Sequence, residues 1–105
     1  MANGYVVIDR KKYNWKEATL VARMENEHNC SDFRFEEEEL YRTKKGNWFM
    51  YGRGGALSKY SQPCGNGSSN GSAWEALEDY EAQDWLEENG FNDEILKYFP
   101  DIEEA

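Results

Sequence analysis

The stretch from Gly46 to Tyr60, GNWFMYGRGGALSKY, decides the fold and is the most distinctive part of the sequence. Four large apolar side chains stand between glycines, and glycine readily adopts the positive φ angles of tight turns. Gly46 therefore suits the turn of a hairpin, and Gly52 to Gly55 suit a corner. Alternation along a strand divides the apolar side chains between its two faces, with Trp48 and Met50 on one and Phe49 and Tyr51 on the other. The stretch predicts the centre of a small β-sheet.

The same glycines have the composition of a phosphate-binding loop but not its spacing. Ser58 precedes Lys59, the reverse of the order in such loops, and no helical pattern follows. Backbone N–H groups converging at a helix start are what hold the phosphate. We therefore favour a strand corner and expect no nucleotide or other cofactor.

The residues before the stretch predict its partner strand. A two-residue period from Phe33 to Arg42 would place Phe33, Phe35 and Tyr41 on one side of a strand, together with Glu37 and Glu39, and Leu40 on the other. Thr43 to Gly46 fit a hairpin connection. The four glutamates Glu36 to Glu39 would favour a helix in isolation, so a helix stays an alternative. Ala56 to Tyr60 fit a further strand.

Nearer the N-terminus, Tyr5 to Asp9 predict a first strand. Asn14 followed three residues later by Glu17 matches a capping box, and apolar residues then recur at helical steps. A helix is therefore predicted from about residue 14 to Glu27. The residues expected to face the core are Trp15, Ala18 and Val21.

The C-terminal part begins with residues 61–72, SQPCGNGSSNGS, which predict a flexible loop. Residues 72–77 fit either a strand or the start of a helix. A helix beginning near Glu78 would carry an apolar stripe of Ala82, Trp85 and Leu86 and stop at Asn89-Gly90. A last helical element follows, interrupted at Pro100.

These elements predict a single α+β domain over residues 1–105, in which a small antiparallel sheet of three to four strands packs against an N-terminal helix and one or two C-terminal helices. No apolar run approaches the roughly 20 residues that span a bilayer, so we expect a cytoplasmic protein. Cys30 and Cys64 stand in polar segments and are expected to be free thiols.

The net charge of −9 is unevenly distributed. Residues 1–60 hold eleven of the twelve Lys and Arg residues and nine of the 21 Asp and Glu residues, whereas residues 61–105 hold only Lys97 against twelve acids. The acidic C-terminal segment, residues 73–105, favours a basic partner and disfavours direct binding of nucleic acid. An acidic surface that only maintains solubility is the alternative.

Catalytic patterns are weak. His28 is the only histidine, and it would pair with Cys30 only if the loop between them folded suitably. A zinc site from His28, Cys30 and Cys64 would have three ligands, one short of a structural site. Runs of carboxylates are typical of solvated faces. We therefore predict a protein that is not an enzyme and holds no metal.

Several motifs together resemble a family of small bacterial proteins associated with phages, plasmids and integrative elements. The motifs are LYRTKKGNWFM over Leu40 to Met50, Gly54-Gly55 with Ser58-Lys59-Tyr60, and EAQDWLE over Glu81 to Glu87. The chain departs from the pattern at Arg53, where an acid is expected, and at Glu78, where a capping Ser or Thr is usual. The resemblance implies a strand over residues 72–77 and a mobile-element origin, and it carries over no catalytic residues.

Small acidic proteins of mobile elements include inhibitors of restriction and CRISPR systems, and this setting leads to our main hypothesis. On a helix the acids of the C-terminal half recur every ~5–6 Å and would mimic nucleic acid in the binding cleft of a host defence protein. The acidic contact residues are Glu78, Asp79, Glu81, Asp84, Glu87 and Glu88.

In the alternative, a basic and aromatic hairpin within Arg42 to Tyr60 binds single-stranded nucleic acid by stacking and phosphate contacts. Its candidate residues are Arg42, Lys44, Lys45, Trp48, Arg53 and Lys59. An accessory protein whose partner contacts this hairpin and the glycine loop is also open.

Overall fold

A computed structural model describes residues 4–105, which form eight β-strands and two α-helices. The strands are β1 Tyr5–Ile8, β2 Lys11–Asn14, β3 Thr19–Glu25, β4 Glu36–Arg42, β5 Trp48–Gly54, β6 Gln62–Cys64, β7 Gly67–Ser69 and β8 Gly71–Leu77. The helices are α1 Asp79–Glu88 and α2 Asn92–Tyr98. The predicted α+β class is confirmed, with an antiparallel sheet and two C-terminal helices.

The main sheet has four antiparallel strands in the order β3-β4-β5-β8. Its centre is the predicted hairpin of β4 and β5, in which Leu40 lies opposite Met50. The connecting turn is closed by a bond of 2.9 Å from the Gly46 N–H to the Thr43 carbonyl, and Gly46 has a φ of +90°. Residues 71–77 form the edge strand β8, which resolves the choice between strand and helix there.

The predicted N-terminal helix is wrong: residues 14–27 form the end of β2, a turn and β3. The Asn14 Oδ1 accepts bonds from the N–H groups of Lys16 at 3.1 Å and Glu17 at 3.2 Å, so the capping pattern closes a turn that no helix continues. β3 then pairs with β4, which places Ala22 opposite Leu40. The spacing of apolar residues fits both structures, and pairing with β4 decides between them.

Two smaller predictions are also wrong. Residues 56–60 form turns instead of a strand. The segment 61–72, predicted as irregular, contains the hairpin β6–β7, whose connection includes Gly65 at a φ of +60°. A two-residue connection of this kind requires positive φ, which glycine supplies.

The two faces of the main sheet are covered differently. On the helical face, Leu40, Trp48 and Met50 pack against residues of α1 and α2. The helix residues in this core are Ala82, Trp85, Leu86 and Ile95. On the opposite face, here called the hairpin face, the ring of Tyr13 from β2 lies 5.2 Å from that of Phe49. The predicted division of the β5 side chains between two faces is therefore confirmed.

The glycines after Tyr51 permit close approach of other chain segments. β5 continues to Gly54, so the predicted corner at Gly52 to Gly55 begins three residues too early. A Cβ atom on Gly52 would lie 2.0 Å from the Tyr60 ring, and one on Gly54 would lie 2.2 Å from the Ser58 Oγ. The segment after β5 therefore folds back across this strand, and side chains larger than hydrogen are excluded beneath it.

Candidate binding surfaces

α1 positions most of the acids that the sequence singled out. The Glu78 N–H donates to the Glu81 carboxylate at 2.9 Å, so an acid caps the helix where a Ser or Thr is usual. Because Ala82, Trp85 and Leu86 are buried, the remaining positions face outward. The exposed acids of this surface, here called the acidic surface, are Glu78, Asp79, Asp84, Glu87 and Glu88. Glu81 is half-buried and turned toward its capping bond.

The acids of the acidic surface form no salt bridges with the described residues. Within residues 4–105, no salt bridge involves any acid from Glu78 onward. α1 also lacks a basic residue in its last turn, where the helix dipole favours positive charge. Asp84 and Glu88 lie one turn apart and repel each other. The placement of Asp84 and Glu88 is therefore unfavourable for the isolated helix.

Four cations of the N-terminal half form salt bridges with nearby acids, namely Arg23, Arg34, Arg53 and Lys59. On the hairpin face, Arg53 donates to the Glu37 carboxylate at 3.1 and 3.3 Å, and Arg23 contacts the same group. Burial raises the pKa of Glu37, but the bonds from Arg53 and Arg23 outweigh it and leave the pKa below its usual value. Arg53 also covers the Phe35 ring at 5.1 Å. These contacts explain why position 53 carries a basic residue.

A second buried carboxylate lies on the helical face. Glu38, only 3% exposed, accepts bonds from the Trp85 indole at 2.9 Å and the Tyr60 hydroxyl, and pairs with the Lys59 ammonium at 2.9 Å. Burial alone would raise the pKa of Glu38. The hydrogen bonds from Lys59, Tyr60 and Trp85 together have the larger effect, so the pKa lies below its usual value. The cluster joins β4, α1 and the segment after β5. It is a structural link that the sequence did not reveal.

The structure does not gather the six alternative hairpin residues on one exposed surface. Trp48 is 2% exposed, so a base cannot stack on it. Arg42 lies over Trp48 at 4.9 Å, while Arg53 and Lys59 are paired with acids on opposite faces of the sheet. Of the six residues, only Lys44 and Lys45 are exposed side by side, at the hairpin turn. Trp48 therefore cannot supply the stacking platform, and a nucleic-acid contact at the hairpin stays a prediction.

Two surface clefts of the structure were not predicted from the sequence. Lys44 and Lys45 share a cleft of about 270 Å³ with Lys11 and Lys12 of β2. A cleft of aromatic side chains also lies on the hairpin face. Both depend on how separate strands meet, for which the local sequence carries no signal.

We compared the chain with known protein families, curated proteins and solved structures. No match was found. No helix within residues 4–105 combines the length and apolar character that crossing a membrane requires. In the same part of the chain, no three His, Cys, Asp or Glu side chains are placed to hold a metal ion together, and Cys30 and Cys64 are exposed thiols. The functional argument rests on the surfaces described above.

Proposed function

We propose that this protein acts by stoichiometric binding, without catalysis, and that its acidic surface occupies a basic cleft of another protein. The observation that supports the proposal is the separation of charge. Five of the nine acids before residue 40 form salt bridges with Arg or Lys, whereas none of the acids from Glu78 onward does so within residues 4–105. A basic partner would supply the missing compensation.

The partner class follows from the arrangement of the charge. Asp84 and Glu88 lie about 6 Å apart along one side of a rigid helix. A cleft that holds the regularly spaced phosphates of nucleic acid has the complementary array of Lys and Arg. We therefore propose an inhibitor of a host defence nuclease, of the CRISPR-Cas or restriction type, in a bacterial cytoplasm. The mobile-element origin stays a prediction, which the neighbouring genes would test.

The decisive experiment compares two double charge reversals. Asp84→Lys with Glu88→Lys alters the acidic surface, and Glu17→Lys with Glu27→Lys makes the same change of charge at exposed sites elsewhere. Glu81 is left intact because its reversal would remove the capping bond. Each variant should keep its free energy of unfolding within about 0.5 kcal/mol of the original, because surface substitutions outside specific contacts have small effects.

The readout is affinity purification from the bacterial host with mass spectrometry, followed by competition with purified components. We expect a nucleic-acid-binding protein to be retained by the original chain and the control variant but lost with Asp84→Lys/Glu88→Lys. The original chain should also displace DNA or RNA from that protein, and less so at high salt. Equal retention by both variants would refute a role for the acidic surface. A salt-sensitive gel shift with the chain alone would instead favour direct nucleic-acid binding.

A further inference from the structure

The aromatic cleft on the hairpin face is formed by three parts of the chain. Glu39 of β4, Tyr51 of β5 and Trp74 of β8 lie opposite one another and form a row across the sheet. Tyr41 is next along the same face of β4, and Trp15 enters from the turn after β2. These five residues line an open cleft of about 200 Å³.

Four aromatic rings line the cleft, and Trp74 lies close to each of the other three. Trp74 lies 4.7 Å from Tyr51 at an angle of 46° and 6.1 Å from Tyr41 at 39°. The rings of Trp15 and Trp74 are 6.0 Å apart and nearly parallel. The indole N–H groups of Trp15 and Trp74 are buried without an acceptor among the described residues. Since unpaired buried donors reduce stability, packing alone does not explain this cluster.

Glu39 adds a negative charge to the aromatic cleft. Its side chain is 23% exposed, and one oxygen accepts a bond of 3.0 Å from the Tyr41 hydroxyl. Arg23 is 3.9 Å from the other oxygen, but it is closer to Glu25 and Glu37. Burial, followed by the bond to Glu39, raises the pKa of Tyr41 to about 12, so its hydroxyl stays a donor at neutral pH. The charge of Glu39 is therefore only partly compensated.

The rest of the described chain shows what the aromatic cleft lacks. Lys or Arg side chains cover rings elsewhere, namely those of Tyr5, Phe35, Trp48, Tyr60 and Tyr98. Within residues 4–105, no Lys or Arg covers Trp15, Tyr41, Tyr51 or Trp74. An aromatic face carries partial negative charge and attracts cations. Four rings and a carboxylate thus converge on a space that no cation of the described chain fills.

We propose that the aromatic cleft binds a methylated ammonium group. The methyl groups of such a cation contact ring faces, and its charge is balanced by Glu39. An anion would be repelled by Glu39, and a neutral apolar group would desolvate this carboxylate without compensation. A primary ammonium would lose hydration and find only one charged acceptor. The ligand chemistry is therefore that of a quaternary or trimethylated ammonium, carried by a small molecule or by a lysine side chain.

The first test uses the unmodified protein. Choline and 3,3-dimethylbutan-1-ol have nearly the same shape but differ in charge, and sodium chloride at equal concentration controls for ionic strength. We expect choline to bind at least about tenfold more tightly than the alcohol, and its titration to shift the indole N–H resonances of Trp15 and Trp74 in NMR spectra. Trp48 and Trp85, on the other face, should not shift. Equal affinity for both compounds, or no saturable shift, would overturn the proposal.

The second test removes the charge of the cleft. Glu39→Gln keeps an acceptor for Tyr41 and should weaken choline binding roughly five- to tenfold. Glu27→Gln removes the same charge from an exposed site beyond the end of β3 and should change the affinity less than about twofold. Equal effects of the two variants would overturn the role of Glu39. Parallel titrations with a trimethyl-lysine peptide would show which source of the cation binds more tightly.

Discussion

Replacing Gly52 by alanine tests how the segment after β5 is held against the sheet. A Cβ at this position would lie 2.0 Å from the Tyr60 ring, and the close atoms include the Cζ and the hydroxyl oxygen. Real Cβ contacts are no shorter than about 3 Å, so the ring has to move. Its hydroxyl would then lose the bond to Glu38. The effect of Gly52→Ala therefore passes through one identifiable hydrogen bond.

The magnitude follows from that bond and from the backbone. A hydrogen bond to a charged group contributes about 1.5–3 kcal/mol, and Glu38 is 3% exposed, so water does not replace the lost donor. Alanine gives the unfolded chain less conformational entropy than glycine does, and this raises the free energy of unfolding by roughly 0.5–1 kcal/mol. We therefore expect Gly52→Ala to lower the free energy of unfolding by about 1–2 kcal/mol. With Tyr60→Ala in the background the clash disappears, and the same change should be neutral or slightly stabilising.

The assay is urea unfolding followed by tryptophan fluorescence, carried out on the four proteins of the double-mutant cycle. Gly67→Ala is the matched control, because its nearest neighbour would be the Cys64 carbonyl oxygen at 4.0 Å. It should change stability by less than about 0.5 kcal/mol. The reasoning is refuted if Gly52→Ala has the same effect with and without Tyr60, or if it is no more destabilising than Gly67→Ala.

Two further predictions concern ionisation and the thiols. The pKa values of Glu37 and Glu38 are lowered on folding, because burial, which would raise them, is outweighed by hydrogen bonds from Arg53 to Glu37 and from Lys59 to Glu38. Their contribution to stability should therefore be present above about pH 4.5 and lost as the pH falls through the folded values. Burial and the bond to Glu38 raise the pKa of Tyr60, so stability should also fall above about pH 10, and Tyr60→Phe should reduce this alkaline loss. Denaturant titrations across the pH range measure both; a flat profile would contradict the assigned bonds. Cys30 and Cys64 are exposed, so both should react with a thiol reagent in native buffer, and a single reacting thiol would contradict this placement.

The parts of the fold that the sequence predicted correctly depend on local chemistry. Gly46 marks a turn between two alternating segments, and the stripe of Ala82, Trp85 and Leu86 defines one side of α1. The prediction of an N-terminal helix was wrong because the apolar residues from Trp15 to Ala22 fit both a helical and an extended period. Only pairing with β4 distinguishes them, and that contact is absent from any local window.

The candidate sites show the same division. Helical spacing correctly predicts that the acids of α1 are exposed. Glu81 is the exception, because its carboxylate accepts the capping bond from the Glu78 N–H. Arg53 is explained only by Glu37, which precedes it by 16 residues and lies opposite it across the sheet. The aromatic cleft requires Trp15 and Trp74 to meet, although they are 59 positions apart in the sequence. Side chains that meet through long-range pairing give no periodic signal.

The acidic surface and the aromatic cleft lie on opposite faces of the main sheet, so the two proposals can fail separately. α1 packs on the helical face through Trp85, whereas Tyr51 and Trp74 belong to the hairpin face. Charges farther apart than about 8–10 Å are largely screened at physiological salt. Asp84→Lys/Glu88→Lys should therefore abolish partner binding and leave choline affinity within about twofold. Glu39→Gln should weaken choline binding and leave partner binding unchanged. If both variants weakened both activities equally, the two faces would form one site, and the separation argued from the sheet would be wrong.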